Sequence, residues 1–362
     1  MGLVVTRLTL RNFRSYELFE IEPDRHLTVL VGENAVGKTN AIEAIELVTA
    51  GNSFRRPQWS ELVRWGSAEC QVSLQAGGDG RAFSTDLTVS SDGRRSYRVN
   101  GKAKRRIAEV AGIIPCVVFT PDDLRMVKDS ADKRRAAIDD VGDQLSPAYL
   151  AARMEYERVL RQRNALLKDP GSDEGVLDAL TERLIAHGAS FCGHRRRLFD
   201  RIVVKLSDVY ETLSPGETLS AEYIPSWDRG GELSHGDPVE LMAHALGQRA
   251  SEERARGLTL VGPHRDEVAF LIGGRDARSF GSQGQTRTIA LAWKLAEVSV
   301  ISEIAGQPPV LLLDDVMSEL DERRRHALAS FVGGAAQTFV TTTNLGYFEG
   351  DMIRRAKVIH IP

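Results

Sequence analysis

Residues 27–40 read LTVLVGENAVGKTN, an apolar run that leads into Gly32-Glu33-Asn34-Ala35-Val36-Gly37-Lys38-Thr39 and so fits the pattern G-x-x-x-x-G-K-[ST]. In that pattern the glycines let backbone N–H groups turn inward around phosphate oxygens, the lysine reaches the terminal phosphates, and the hydroxyl is a ligand for Mg²⁺. Lys38 and Thr39 take those two parts here, and Gly32, Glu33, Asn34, Ala35, Val36, Gly37 and Asn40 complete a candidate phosphate cradle. The flanks agree. Leu27, Val29, Leu30 and Val31 predict a strand before the loop, while Ala41, Ile42, Ala44, Ile45 and Val48 form one apolar helical face after it.

The rest of the composition sets bounds. A chain of 362 residues, 42% hydrophobic and 27% charged, has the make-up of a soluble globular protein with room for two or three domains of core. Its net charge of −3 gives no global basic field, so any nucleic-acid contact must come from local patches. The three cysteines, Cys70, Cys116 and Cys192, are far apart, form no C-x-x-C pair and read as buried small hydrophobes in a reducing cytoplasm. The N-terminus has no charged-then-apolar leader and no apolar run approaches a membrane span, so the expectation is a cytoplasmic protein with no membrane partner.

Taken in order, residues 4–10 predict a strand, with Asn12-Phe13-Arg14-Ser15 as its exit. Cys70–Leu74, Ala82–Val89 and Ser96–Asn100 predict further strands, the last turning at Asn100-Gly101, a strong hairpin signal. Cys116–Phe119 predicts a buried strand ended by Thr120-Pro121-Asp122-Asp123. Residues 132–168 and 174–213 predict two long helices with a break at 168–172. A helix of about 38 residues reaches only about 57 Å, too short for a long coiled-coil arm. Residues 214–256, with Pro215-Gly216, Gly230-Gly231 and a polar helix at 239–254, read as a return path. From Leu258 the pattern is α/β again, with strands at 268–272, 310–313, 338–342 and 358–361 and helices at 286–301 and 322–332. The organisation expected is a split core: 1–124, its first half with an antiparallel β appendage; 125–256, an inserted α-helical lobe; 257–362, its second half.

That second half carries chemistry. Val310-Leu311-Leu312-Leu313-Asp314-Asp315 places two carboxylates at the end of a buried strand. Asp314 is positioned to hold Mg²⁺ with Thr39, and Asp315 to orient or deprotonate an attacking water. Ser282-Gln283-Gly284-Gln285 precedes a helix, where free N–H groups make an anion site or simply a cap. In Val316-Met317-Ser318-Glu319-Leu320-Asp321, Ser318 is expected to cap the next helix, with Asp321 at the box position.

A P-loop, a distant S-x-G-Q, an apolar strand ending in D-D, then S-x-L-D: this order resembles the ATP-binding-cassette ATPases of the SMC/RecF branch. Within it the chain is similar to the bacterial RecF family of replication and repair proteins over nearly its whole length. The matching pieces are Leu10–Arg14, Gly32–Thr39, Ser53-Phe54-Arg55, Val99-Asn100-Gly101, Thr120-Pro121-Asp122, Lys133-Arg134-Arg135, Arg161–Asn164, Gly262–Asp266, Ser282–Gln285, Leu313-Asp314-Asp315 and Ser318–Asp321. The resemblance implies an α/β, ABC-type P-loop ATPase using ATP and Mg²⁺, with Lys38 and Asp315 as its catalytic groups. Ser282, Gln283, Gly284 and Gln285 become the signature that completes another subunit's site, and Ser318 and Asp321 the D-loop.

It further implies an ATP-dependent homodimer that clamps double-stranded DNA or single/double-strand junctions. Such a protein acts as a recombination mediator with RecR and RecO, in RecA loading and the SOS response. For DNA contact, Arg94, Arg95, Arg98, Lys102, Lys104, Arg105 and Arg106 crowd one hairpin around Tyr97, and Arg195–Arg197 and Arg323–Arg325 add triplets. His264 and Arg265 have no chemistry beyond the family match. Three departures point to weak ATP turnover used as a switch. No Gln stands near Val117–Phe119, Thr341-Thr342-Thr343-Asn344 replaces the histidine after the last core strand, and Asp315 stands where cassette enzymes usually carry Glu. The competing reading is a cassette motor coupled to a membrane or nuclease partner. The first departures and the chain ending at Pro362, with no room for a nuclease module, weigh against it.

Overall fold

In the computed structural model, which describes residues 2–78, 80–105, 109–228, 236–332, 336–348 and 350–361, the chain divides into two units. The first comprises Met1–Arg125, Asp143–Leu145 and Arg287–Pro362; the second comprises Met126–Gly142 and Ser146–Thr286.

The first unit opens with β1 (Val4–Phe13), β2 (Tyr16–Ile21), β3 (Leu27–Val31) and α1 (Lys38–Thr49), followed by β4 (Glu69–Gly78), β5 (Arg81–Ser90), β6 (Arg95–Val99), β7 (Lys102–Lys104) and β8 (Cys116–Phe119). The second holds α2 (Ala131–Leu145, whose last turn returns to the first unit), α3 (Pro147–Leu167), α4 (Glu174–Leu213), β9 (Leu219–Ile224), α5 (Pro238–Arg256), β10 (Glu267–Ile272), β11 (Arg275–Asp276) and α6 (Ala277–Phe280). Helix α7 (Gln283–Ala305) leads back to the first unit, which closes with β12 (Val310–Asp314), α8 (Glu322–Val332), β13 (Thr338–Thr342), α9 (Gly350–Arg355) and β14 (Lys357–His360).

Two sheets build the first unit. Strands β14-β3-β13-β12-β8 pair in parallel in that order, and β2-β1-β4-β5-β6-β7 form an antiparallel sheet. Strands β3, β12 and β13 are buried at every residue, which is why they read as continuous apolar runs rather than alternating ones. Helix α1 packs on both sheets, so it is buried nearly all round, not on one face as its apolar spacing predicts. That burial includes Glu43 and Glu46, and unpaired carboxylates could not stay there. Glu43 accepts from Arg14 Nη2 at 2.8 Å and Ser53 Oγ at 2.7 Å, with Arg55 Nη1 at 3.3 Å; Glu46 accepts from the Phe54 amide at 2.7 Å. Two sequence motifs, 10–14 and 53–55, thus converge on one helix.

The sequence reading departs from the structure at four places. Strand β1 continues to Phe13 and turns at Arg14-Ser15 into β2, which went unpredicted. The helix expected over 132–168 is two, because Pro147 starts α3 and Ser146, in an extended conformation, accepts from the Tyr149 amide as its cap. Strand β9 lies within the stretch read as a return path and pairs with β10, so Leu258–Thr286 belongs to the second unit and the boundary falls at 286/287, not 256/257. Gly230-Gly231 lies outside the described residues. The Asn100-Gly101 turn is as expected, with φ of 48° and 75°. No described helix is long and apolar enough to cross a membrane.

In the second unit, α4 is 40 residues long and packs on α3, α5 and β9. A chain of buried polar groups ties these elements together. Arg163 donates to Glu253 at 2.7 Å and to Thr259 Oγ1 at 2.8 Å, and Asn164 accepts from the Thr259 amide at 2.8 Å. Arg195 donates to both carboxylate oxygens of Asp139, at 2.9 and 2.8 Å, and to the Pro263 carbonyl at 2.7 Å. Asp266 accepts from the Tyr223 hydroxyl and from the Ser226 amide. His264 Nε2 lies 3.1 Å from the Thr259 carbonyl, which only accepts, so Nε2 carries the proton and Nδ1 accepts from Tyr156 Oη at 2.6 Å. The segments 161–164 and 262–266 are therefore one clasp, and His264 is a structural residue within it.

This clasp has a pH signature. Burial pushes the His264 imidazole down to about 4, against its bond to the Thr259 carbonyl and with Arg265, Arg135 and Arg195 adding to the depression. Asp266, also raised by burial, and Tyr156 are the other titratable groups against it. Above the unfolded pKa of about 6.5 the ring is neutral in both states; as pH falls toward about 4 the unfolded chain takes the proton first and stability drops, by up to roughly 3 kcal/mol. Urea unfolding at pH 7.5 and pH 5 should show this loss in the wild type and a smaller one in His264→Gln.

Candidate nucleotide site

The phosphate-binding loop joins β3 to α1, between the two sheets of the first unit. Two of its glycines are dictated by space. A Cβ on Gly32 would lie 2.7 Å from the Ile361 carbonyl oxygen, and one on Gly37, at φ 113°, would lie 2.8 Å from Ser15 Oγ. Ala35 is also left-handed, at φ 67°. The Tyr16 hydroxyl donates to the Gly37 carbonyl at 3.0 Å, and Asn40 Nδ2 donates to Ser15 Oγ at 3.0 Å, so the β1–β2 turn braces the loop.

Lys38 is 6% exposed. Its ammonium donates to the carbonyls of Gly32 at 2.8 Å and Glu33 at 2.6 Å, and no described carboxylate lies within 4.0 Å of it. Thr39 follows in the first turn of α1, where amide groups lack intrahelical partners.

The acidic pair ends β12. Asp314 is buried, and its Oδ1 accepts from Thr341 Oγ1 at 2.7 Å; Thr341 Oγ1 in turn accepts from the Asp315 amide at 2.9 Å. Thr341 sits opposite Asp314 in the β12–β13 register, so one hydroxyl sets the position of both acids. Sequence reading noted Thr341 only as a substitute for a histidine. It sits in a strand with three threonines, so its spacing alone does not single it out. Asp315 adopts φ 51°, a left-handed conformation uncommon for a residue with a side chain, and starts a 3-10 turn over Val316–Glu319. Its Oδ1 is buried with no hydrogen-bond partner among the described residues. Burial raises the Asp315 pKa, the Lys38 ammonium opposes this, and Asp314 and Glu319 add to it. The field of Lys38 thus reaches Asp315 and joins the loop to the acids. An orphaned buried oxygen beside a strand-end carboxylate, facing the positive field of the loop, fits a site completed by a cation and a phosphate; Thr39 and Asp314 are the residues that would hold Mg²⁺.

The remaining candidates fall elsewhere. Ser282 and Gln285 lie in the second unit and form a reciprocal capping box at the start of α7: the Gln285 amide donates to Ser282 Oγ at 3.1 Å and the Ser282 amide to Gln285 Oε1 at 3.0 Å. Gln283 and Gly284 occupy its first turn. Ser318 does not cap α8. It lies inside the 3-10 turn and donates to the Asp315 carbonyl at 2.8 Å, while Asp321 accepts from the Arg324 amide at 3.0 Å and does the capping.

The basic hairpin is only partly as expected. Arg94, Arg95, Arg98 and Lys102 are exposed, Lys104 pairs with Glu109 at 3.3 Å, the Arg105 amide donates to Glu109, and Arg106 lies outside the described residues. Tyr97 points into the core at 5% exposure and is not interleaved with the cations. The triplets are largely spent on structure: Arg195 is buried in the clasp, Arg324 donates to Thr288 at 2.7 Å, and Arg325 donates to the Leu320 carbonyl at 2.6 Å.

With this geometry in place, comparison with known proteins is decisive. The family model for the RecF/RecN/SMC N terminal domain matches residues 4–359. The DNA replication and repair protein RecF of Geobacillus thermodenitrificans is 36% identical over 99% of this chain and 98% of its own, and that of a Synechococcus strain is 39% identical over 98% and 95%. The chain belongs to the RecF family. A solved structure of the recombination mediator RecF with ATP, from the RecFOR pathway, superposes with a TM-score of 0.87 at 31% identity, covering 97% of this chain and 94% of that one. A Smc head, at 19% identity and a TM-score of 0.56 over 99% and 93% of the chains, shares the fold alone. The chain thus has the ABC-type ATPase fold that its motif order implies.

Thr341 gives the site a test that needs no ligand. Thr341→Val keeps the shape but leaves Asp314 buried without its donor, and the loss of one such bond costs about 1–3 kcal/mol. The urea midpoint should fall accordingly, with Thr342→Val, whose hydroxyl bonds only its own turn at Asn344, falling less.

Proposed function

We propose that this chain is an ATP-switched DNA-binding protein of replication and repair, a recombination mediator that works as a dimer. The observation that carries the reading is the division of the site. The loop, Thr39, Asp314 and Asp315 belong to one unit, and the capped loop Ser282–Gln285 to the other. A buried ammonium and an orphaned carboxylate oxygen call for a nucleotide triphosphate with Mg²⁺. Family membership and ATP-bearing RecF structures support ATP as that nucleotide.

In the proposed cycle Lys38 leaves the Gly32 and Glu33 carbonyls for the terminal phosphates, and Ser282 and Gly284 of a second copy close over them. ATP then joins two chains around double-stranded or gapped DNA. Asp315 holds and deprotonates the attacking water, and burial, by raising its pKa, makes it the stronger base. Hydrolysis parts the chains, so the enzyme is a weak ATPase whose chemistry is a timer. DNA contact is assigned to the exposed cations of the β5–β7 hairpins, Arg94, Arg95, Arg98 and Lys102, which would grip phosphate without reading sequence. The reading extends to RecR and RecO as partners, RecA loading, the SOS response and a cytoplasmic setting, and the likeness to a RecF of the RecFOR pathway supports it.

The test is oligomeric state. Light scattering should show dimers when ATP is added to the wild type and monomers throughout for Lys38→Ala. ATP-induced dimers in that variant would sink the shared-site reading.

A further inference from the structure

Trp65 is 98% exposed, against 63% for Leu18 and 75% for Phe280, and it sits on a firmly held turn. The Ser67 amide donates to the Arg64 carbonyl at 2.9 Å, and Gly66 takes φ 82°, as the third position of a type II turn requires. The Arg64 amide donates to the Asn12 carbonyl at 2.7 Å, and the Arg14 amide to the Leu62 carbonyl at 2.8 Å, which pins the turn to the end of β1. An indole left bare in this way loses the burial that usually stabilises it. It is displayed by rigid backbone, not by a loose loop.

The surroundings are polar and carry charges of both signs, with Glu61 and Glu69 exposed beside the arginines. The Ser91 amide donates to the Ala68 carbonyl at 2.8 Å, so the turn joining β5 to β6 lies alongside the Trp65 turn. It brings Arg94, whose side chain is 86% exposed, and Arg95, whose guanidinium stacks 4.0 Å over the Trp59 ring. Among the described residues, the ion-pair partners of Arg64 and Arg94 are exposed carboxylates, Glu17 at 3.4 Å and Asp92 at 2.6 Å. Such pairs are worth little in water, and a phosphate offers a guanidinium a stronger, bidentate partner. A bare aromatic face beside arginines free to turn to phosphate is the chemistry of a stacking platform for nucleic acid. In closed duplex every base is already stacked on both faces. Only an unpaired base has a face to offer.

We propose that Trp65 stacks on an unpaired nucleobase where single strand leaves duplex, with Arg64, Arg94 and Arg95 holding the adjacent phosphates. This rests on the DNA-binding reading above and deepens it by naming the residue that would tell gapped DNA from closed duplex. The experiment uses the full chain with ATP, a covalently closed relaxed circle, and the same circle carrying a single-stranded gap. Trp65→Ala should weaken binding to the gapped circle about 5- to 100-fold, the loss that base–aromatic stacking carries, and leave the closed circle within about twofold. Trp65→Phe should restore most of the loss. Equal losses on both circles, or no loss on the gapped one, would overturn the proposal while leaving DNA binding intact. Lost self-association with unchanged DNA affinity would make Trp65 a protein contact and overturn it too. A wild type that binds neither circle would remove the DNA-binding reading itself, a result separable from the others.

Discussion

A buried ammonium without a counter-ion organises this structure. Lys38 is almost wholly removed from water, yet its partners are two loop carbonyls, and no described carboxylate is close enough to pair with it. The two carbonyl dipoles solvate the ammonium without neutralising it, so its positive field is left for an anion. The acids that could have neutralised Lys38 are held apart by specific means. Thr341 fixes Asp314, and Glu43 and Glu46 on the same helix are occupied by Arg14, Ser53, Arg55 and the Phe54 amide, while Asp315 feels the Lys38 charge without pairing with it. The first unit thus leaves the Lys38 ammonium without an ion pair among the described residues, with Asp314, Glu43 and Glu46 each bound elsewhere.

The second unit handles buried charge in the opposite way. Arg163, Arg195 and Asp266 are all matched, and their partners reach across α3, α4, α5 and the turn before β10. Burial works against the Arg195 charge, but Asp139 holds its pKa well above the usual value, so this cation stays charged and fixed. A network satisfied at every member rigidifies what it joins. One unit is therefore braced by complete ion pairs and carries the capped Ser282–Gln285 loop, while the other holds an incomplete charge. That contrast is what a switch needs: a stiff part that presents, and a part whose electrostatics change when a ligand binds.

Where local chemistry alone decides conformation, the sequence was legible. The phosphate loop, the apolar strand ending in Asp314-Asp315 and the Asn100-Gly101 turn each depend on residues within a few positions of one another. Strands β2 and β9 were not legible, because Tyr16–Ile21 carries glutamates at 17 and 20 and Leu219–Ile224 is half polar; both are strands only because a partner lies alongside. Three features carried a local signal of their own. Pro147 marks the start of α3. Arg195 continues the buried series Leu184, Gly188, Phe191 and leads to Leu198 and Ile202, so its period placed it inside, away from its exposed neighbours Arg196 and Arg197. The parity of β6 likewise put Tyr97 on the inner face with Val99. Thr341 and the clasp around His264 depend on contacts between distant segments and could not be read from spacing.

The central claim is that each nucleotide site is completed by a second copy of the chain. Mixing two inactive variants tests it most directly. Lys38→Ala lacks a working loop but has an intact Ser282–Gln285; Ser282→Arg has the reverse. If the sites form between chains, a mixed dimer contains one complete site, and ATP hydrolysis absent from either variant alone should return when the two are combined. A mixture as inactive as its parts would contradict the account.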